Sequence, residues 1–220
     1  KQSRVFTLSL NGFNLSPNLR SVTSSLDMNE GLINPMEMFG RKNKDEQNAY
    51  DSNIEKWKVM LRQLARQTLR EKGQNIADEE LNRTVLTELT SFLEDLYVNY
   101  KMWSKNASRS KIGMRNLGIP HEQLPTLDHM ESALETQRRK YMSAENYDVQ
   151  KANAINEIKS LISEMKTKSI FNCITSPKMD TIGNSRHSLL DFTSLDGTNR
   201  NTLLLQIINT FSAIMNQAKE

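Results

Sequence analysis

The apolar residues of this chain change their period twice, and that change constrains the fold more than any motif does. Residues 4 to 10, Arg-Val-Phe-Thr-Leu-Ser-Leu, alternate apolar with polar, which is the spacing of a half-buried strand. Asn11-Gly12 marks a turn, and residues 13 to 33 are rich in Ser, Asn and Thr, with one more short strand expected near residues 21 to 25. From about residue 44 the period becomes three to four. Ile54, Trp57, Leu61, Leu64 and Thr68 then share one face of a helix running to about Lys72, which Gly73 can stop. A second helix is expected to open at Asp78-Glu79-Glu80, whose acids suit the positive end of the helix dipole. Its apolar face is Leu81, Val85, Leu89, Phe92, Leu93, Leu96 and Tyr100.

Residues 101 to 120 interrupt the pattern with Ser, Asn, Gly and a terminal Pro, and read as a long exposed connection. Pro125-Thr126-Leu127-Asp128 is a helix start, with Thr126 as cap and Asp128 in the first turn, followed by Leu127, Met130, Leu134 and Tyr141 on one stripe. A fourth helix is expected over about residues 148 to 166, with Val149, Ala152, Ile155, Ile158, Ile162 and Met165 on its apolar side. Beyond Ser169 the texture of the N-terminus returns. Residues 188 to 195 resemble a strand and its exit, Asp196-Gly197 a turn, and a last helix from about Asn199 carries Leu204, Ile207, Ile208, Phe211, Ile214 and Met215. The expected class is therefore mainly α: a bundle-like helical domain over 41–168, inserted between short strands of an incomplete α/β core at 1–40 and 169–220.

Composition excludes several functions. With 37% hydrophobic and 25% charged residues in 220, the chain has the balance of an ordinary globular protein. Its 29 Lys and Arg against 26 Asp and Glu leave a net charge of only +3, so nucleic-acid binding gains little from charge alone. Lys101, Lys105, Arg109, Lys111 and Arg115 beside Trp103 are the place where phosphates would be neutralised and a base stacked; a solvated basic loop is the competing reading. One cysteine, Cys173, allows no intrachain disulfide, is compatible with a reducing cytoplasm, and reads as a small buried hydrophobe rather than a nucleophile. No apolar run approaches the roughly 20 residues that cross a bilayer. A first residue Lys1 and a last pair Lys219-Glu220 directly after an amphipathic segment lead us to expect an excerpt of a longer protein.

No complete catalytic signature is present. A P-loop needs glycines leading into Gly-Lys-Ser/Thr so that backbone amides and a lysine hold the phosphates; Gly12, Gly31, Gly40 and Gly73 are isolated. Leu189-Leu190-Asp191 imitates part of a magnesium-binding strand end, but Phe192-Thr193 follows where a second acid belongs. His121, His129 and His187 lack the paired helical spacing of metal ligands and read as surface or helix-end residues. No Gly-x-Ser-x-Gly elbow occurs, and Glu55, Glu88 and Glu94 read as solvated helix faces. The eleven methionines, Met36, Met38, Met130 and Met165 among them, are expected mostly to pack. We assign no catalytic, cofactor-binding or metal-ligating residue from the sequence.

Leu32-Ile33-Asn34-Pro35-Met36-Glu37-Met38 resembles the "INPL/M-(E/D)-I" signature of the P-loop motor ATPases of conjugation and type IV secretion systems. There it ends a β-segment and leads into an inserted all-α domain. The order of later pieces is similar too. Ala77-Asp78-Glu79-Glu80 resembles the family's acidic helix start, Pro125-Thr126-Leu127-Asp128-His129 its "PTL" helix start, and residues 190 to 195 its "FD-x-S/T-x-L" return strand. Leu10-Asn11-Gly12-Phe13 and Leu190 depart from the family's pattern. The resemblance implies a stretch between the two Walker motifs of a RecA-like core. In it Pro35 would close the strand, because proline cannot donate to a ladder and restricts the residue before it, and Asn34 would fix the turn through neighbouring backbone. It further implies that ATP and magnesium belong to the full-length protein and not to this stretch. The full-length protein would work at the cytoplasmic face of the membrane with other secretion or conjugation subunits and as a homo-oligomer. A stand-alone helical structural or nucleic-acid-binding protein is the alternative.

Overall fold

The computed structural model describes residues 5–9, 23–27, 31–39, 46–71, 83–100, 102, 117–179, 187–191, 204 and 207–208. Among these, three short strands and four long helices follow one another as β1 (Val5–Ser9), β2 (Thr23–Asp27), α1 (Glu46–Glu71), α2 (Arg83–Asn99), α3 (Leu127–Tyr141), α4 (Val149–Lys166) and β3 (His187–Asp191), with a single 3-10 turn at His121–Gln123 ahead of α3. The class is mainly helical with flanking strands. The strands form a parallel sheet in the order β1-β3-β2, with Thr7 and Ser25 both facing Leu189 in register. Parallel neighbours cannot be joined by a hairpin and need a crossover. Here the crossover from β2 to β3 contains all four helices, so the helical part is an insertion between two adjacent strands.

α3 and α4 form the most extensive helix pair, and α4 also packs on α2 and α1. That position explains the width of its buried side. Ala152, Ile155, Ile158, Ile162 and Met165 are buried as their spacing predicts, and Ala154 and Leu161 are buried as well because α4 has neighbours on more than one side. Val149 departs from the expected stripe and is 41% exposed: it is the first residue of the helix, ahead of the turns that are gripped. Ile208, 54% exposed, likewise leaves the stripe expected for the last helix, whereas Ile207 is buried and Leu204 packs against the core. Phe211, Ile214, Met215 and the acidic start at 78–80 lie outside the described residues.

The helix ends have local causes. Asp148 caps α4, its carboxylate accepting from the Lys151 amide at 3.0 Å, and its own amide donates to the Tyr141 carbonyl at 2.9 Å, which closes the α3–α4 hairpin. Thr126 stands at the cap of α3 in extended conformation. Its backbone N–H donates to Nδ1 of His129 at 3.1 Å, so a histidine fills the role that Glu or Gln usually plays three residues into a helix. His129 is thus the helix-end residue expected. Arg138, Arg139 and Lys140 occupy the last turn of α3, where cations meet the negative end of the dipole.

One apolar core collects Trp57, Met60 and Leu61 of α1, Leu89, Leu93 and Tyr97 of α2, Leu127, Met130 and Leu134 of α3 and the stripe of α4. It also takes in Leu32, Ile33, Met36 and Met38 before the helices, and Ile170, Phe171 and Met179 after them. Described residues before α1 and after α4 thus belong to the same cluster as the helices.

Candidate functional site

The chain passes twice between sheet and helices: outward after Asp27 and back before His187. Residues 31–39 and 169–179 are the described parts of the two passages, and they lie side by side. Gly31 has φ +70, and a Cβ there would come 2.7 Å from the Ser169 carbonyl oxygen and 3.1 Å from Cys173 Cβ. Only glycine meets both the left-handed backbone and that closeness without strain. The Ser176 amide donates to the Leu32 carbonyl at 3.0 Å, and the Asn34 amide donates to Thr175 Oγ1 at 2.9 Å. We call this double passage the neck.

Asn34 is its centre and is fully buried. Its side-chain Nδ2 donates to the Pro125 carbonyl at 2.9 Å, tying the neck to the start of α3, and its Oδ1 accepts from the Met36 amide at 2.9 Å. The Glu37 amide donates to the Asn34 carbonyl at 3.1 Å, closing a four-residue turn with Pro35 in second place, where a fixed φ is an advantage. The backbone-fixing role read for Asn34 is present. The role read for Pro35 is corrected: residues 31–39 are not a strand, β2 having ended at Asp27, and Pro35 shapes a turn instead of stopping a ladder. The sequence could not separate these, because both use the missing N–H and the fixed φ.

A charged cluster sits against this turn. Lys56 of α1, only 7% exposed, donates from Nζ to the Pro35 carbonyl at 2.6 Å. Burial pushes its ammonium down from 10.5 to about 7, opposed by the Glu37 carboxylate. Glu37, itself buried, has Oε1 at 3.0 Å and Oε2 at 3.2 Å from Nδ1 of His121 in the 3-10 turn. His121 is therefore a partner of the neck rather than only a helix-end residue. Cys173 is partly buried, burial pushes its thiol up to about 11, and Sγ lies 3.8 Å from the Ile170 carbonyl it donates to. Such a thiol is a poor nucleophile at neutral pH, in keeping with the bland reading.

A second polar cluster lines a shallow groove between α3 and α4, formed by Glu131, Ser132, Glu135, Thr136, Arg139 and Lys159. Glu135 accepts from Arg138 at 3.0 and 3.1 Å, Arg139 at 2.9 Å and Lys159 at 2.8 Å, and these donors hold its carboxyl well below the usual range. Glu131 is held low by Lys166 and Ser163, and Asp128 by Asn172 and Lys166. These partners bolt the hairpin together. Glu55 pairs with Lys58 on the surface as a solvated face should. Glu88 does not: it is buried and accepts from the Tyr141 hydroxyl at 2.8 Å, because α2 and α3 bring the two together across 53 residues. Glu94 is half-buried near Tyr50 and not fully solvated.

Asp191 ends the central strand and pairs in register with Ser9 and Asp27. The basic loop with Trp103 lies outside the described residues. Among the described residues no three His, Cys, Asp or Glu side chains converge as metal ligands, and no helix is long and apolar enough to cross a membrane.

No protein-family model matches the sequence, and no curated protein matches it. Among solved structures, VirB4 of Thermoanaerobacter pseudethanolicus matches with a TM-score of 0.68 at 13% identity, covering 100% of this chain and 72% of that one. At that identity the likeness establishes a shared fold. The resemblance drawn from Asn34-Pro35 and the later motifs holds at the level of the fold.

Proposed function

We propose that this chain is a helical domain, with the adjoining edge of the nucleotide-binding core, of an ATPase acting in type IV secretion or conjugation. The observation that carries the reading is the structural match to VirB4 along the whole chain, joined to a helical insertion between adjacent parallel strands. In this reading the neck passes movements of the core to the helices. The two passages are bonded to each other, the outgoing one also to Lys56 of α1 and to Pro125 ahead of α3, the returning one to Asp128 of α3, so a shift at the ends of β2 and β3 would displace the helices as a body. The helices would then present their outer faces to other subunits of the secretion machinery. ATP and magnesium belong to the full-length protein, at the cytoplasmic face of the membrane and in a homo-oligomer. The residues present do not make a nucleotide site, since no Gly-Lys-Ser/Thr loop occurs, and we place no step of hydrolysis on them.

ATP hydrolysis should be measured on this chain and on the full-length protein side by side. We expect turnover by the full-length protein only. Robust hydrolysis by this chain alone overturns the assignment of its residues; absence of hydrolysis in both, with salt-sensitive DNA or RNA binding by this chain, moves the function to a helical structural or nucleic-acid-binding protein.

A further inference from the structure

Most charged side chains among the described residues reach solvent, but Lys56 does not: it ends against the Pro35 carbonyl with the Trp57 indole centroid 6.0 Å away. A buried ammonium with one carbonyl acceptor is a costly group, and it sits on the turn that holds the neck shut. We infer that the neck is a proton-coupled latch, which opens locally by taking up a proton at Lys56 and closes by releasing it. This rests on the geometry of the neck and not on the motor reading.

Among the described residues, three titratable groups stand near the latch. From residues 31–39 comes Glu37, from the 3-10 turn His121 beside that carboxylate, and from the returning passage Cys173, which also feels Glu37. The direction follows from linkage. An opened neck returns Lys56 to water, where it titrates near 10.5, whereas in the closed neck it titrates near 7. Between those values the open form binds more protons, so acidification favours opening and a rise in pH favours closure. Below about 7 both forms are charged at Lys56 and the dependence levels off. From pH 9 to pH 7 the open fraction should rise roughly 50-fold. Cys173 acts in the opposite sense around and above its ordinary value of 9.0, so it touches only the alkaline edge of the pH 7 to 9 range.

The test is amide hydrogen exchange of the intact chain between pH 7 and pH 9, corrected for the intrinsic pH dependence of exchange, with reclosing faster than exchange. The probes are the Asn34, Glu37 and Ser176 amides, which bond across the neck; the amides of Ile158 and Ile162 in α4 report global opening. We expect the neck amides to open more readily than those of α4, with the roughly 50-fold trend, and Lys56→Met to flatten that trend while His121→Gln leaves it in place. Neck amides that exchange only as slowly as α4 refute a local latch. A flat profile in the unaltered chain, or a slope that survives Lys56→Met, refutes the role of Lys56.

Discussion

Replacing Asn34 by Ala removes two buried hydrogen bonds that no neighbour can restore. The Pro125 carbonyl loses its Nδ2 donor and the Met36 amide loses its Oδ1 acceptor, both at a fully buried residue. A buried group left without a partner costs about 1–3 kcal/mol, so the two together should cost about 2–6 kcal/mol. Against the roughly 5–15 kcal/mol of an ordinary domain that is a large loss. Urea unfolding followed by circular dichroism would show it as a lower midpoint with an unchanged slope. Asn34→Asp separates hydrogen bonding from shape, because it keeps the volume and the acceptor for Met36 but turns an oxygen toward the Pro125 carbonyl. Burial and that facing oxygen raise the aspartate above its ordinary value, and a raised carboxyl binds more protons folded than unfolded. The Asp variant should therefore lie nearest the unaltered protein at low pH and lose stability as pH rises through the carboxylate range. A loss below about 1 kcal/mol for Asn34→Ala, or an Asp variant that tracks the unaltered protein at every pH, would refute the picture of Asn34 as the tie between the passages and α3.

Two further substitutions probe the neck and the core. Gly31→Ala places a methyl group 2.7 Å from the backbone oxygen of Ser169 on a left-handed residue; it should cost about 1–3 kcal/mol and lower the thermal midpoint, and an unchanged midpoint would show that the two passages can part freely. Leu93→Ala empties a site with no solvent access in the middle of α2, for an expected loss of about 2–5 kcal/mol in the same urea assay.

The helices were legible because each carries its own evidence. Ile54, Trp57, Leu61 and Leu64 recur at helical spacing, and so do Ile155, Ile158 and Ile162; period is a local property that survives without knowledge of the partner face. Thr126 and Asp148 were readable at the helix starts for the same reason, since a cap acts within three residues. The strand near Val5 was expected from alternation, and further strands were expected near residues 21–25 and 188–195, but not their order: that β3 lies between β1 and β2 depends on pairings across the whole chain.

The neck was legible only in part. Asn34-Pro35 announced a turn, yet its partners lie 91 and 141 residues away at Pro125 and Thr175, and no local pattern points to them. Glu88 looked like a solvated charge because charge is ordinarily a mark of the surface, and nothing local singled out Lys56; the burial of both follows from which elements meet. The sequence by itself determined which stretches coil, which extend, and where helices begin, since these rest on interactions spanning a few residues. Only the tertiary structure decided which polar groups are enclosed, because enclosure depends on surfaces brought together from distant parts of the chain.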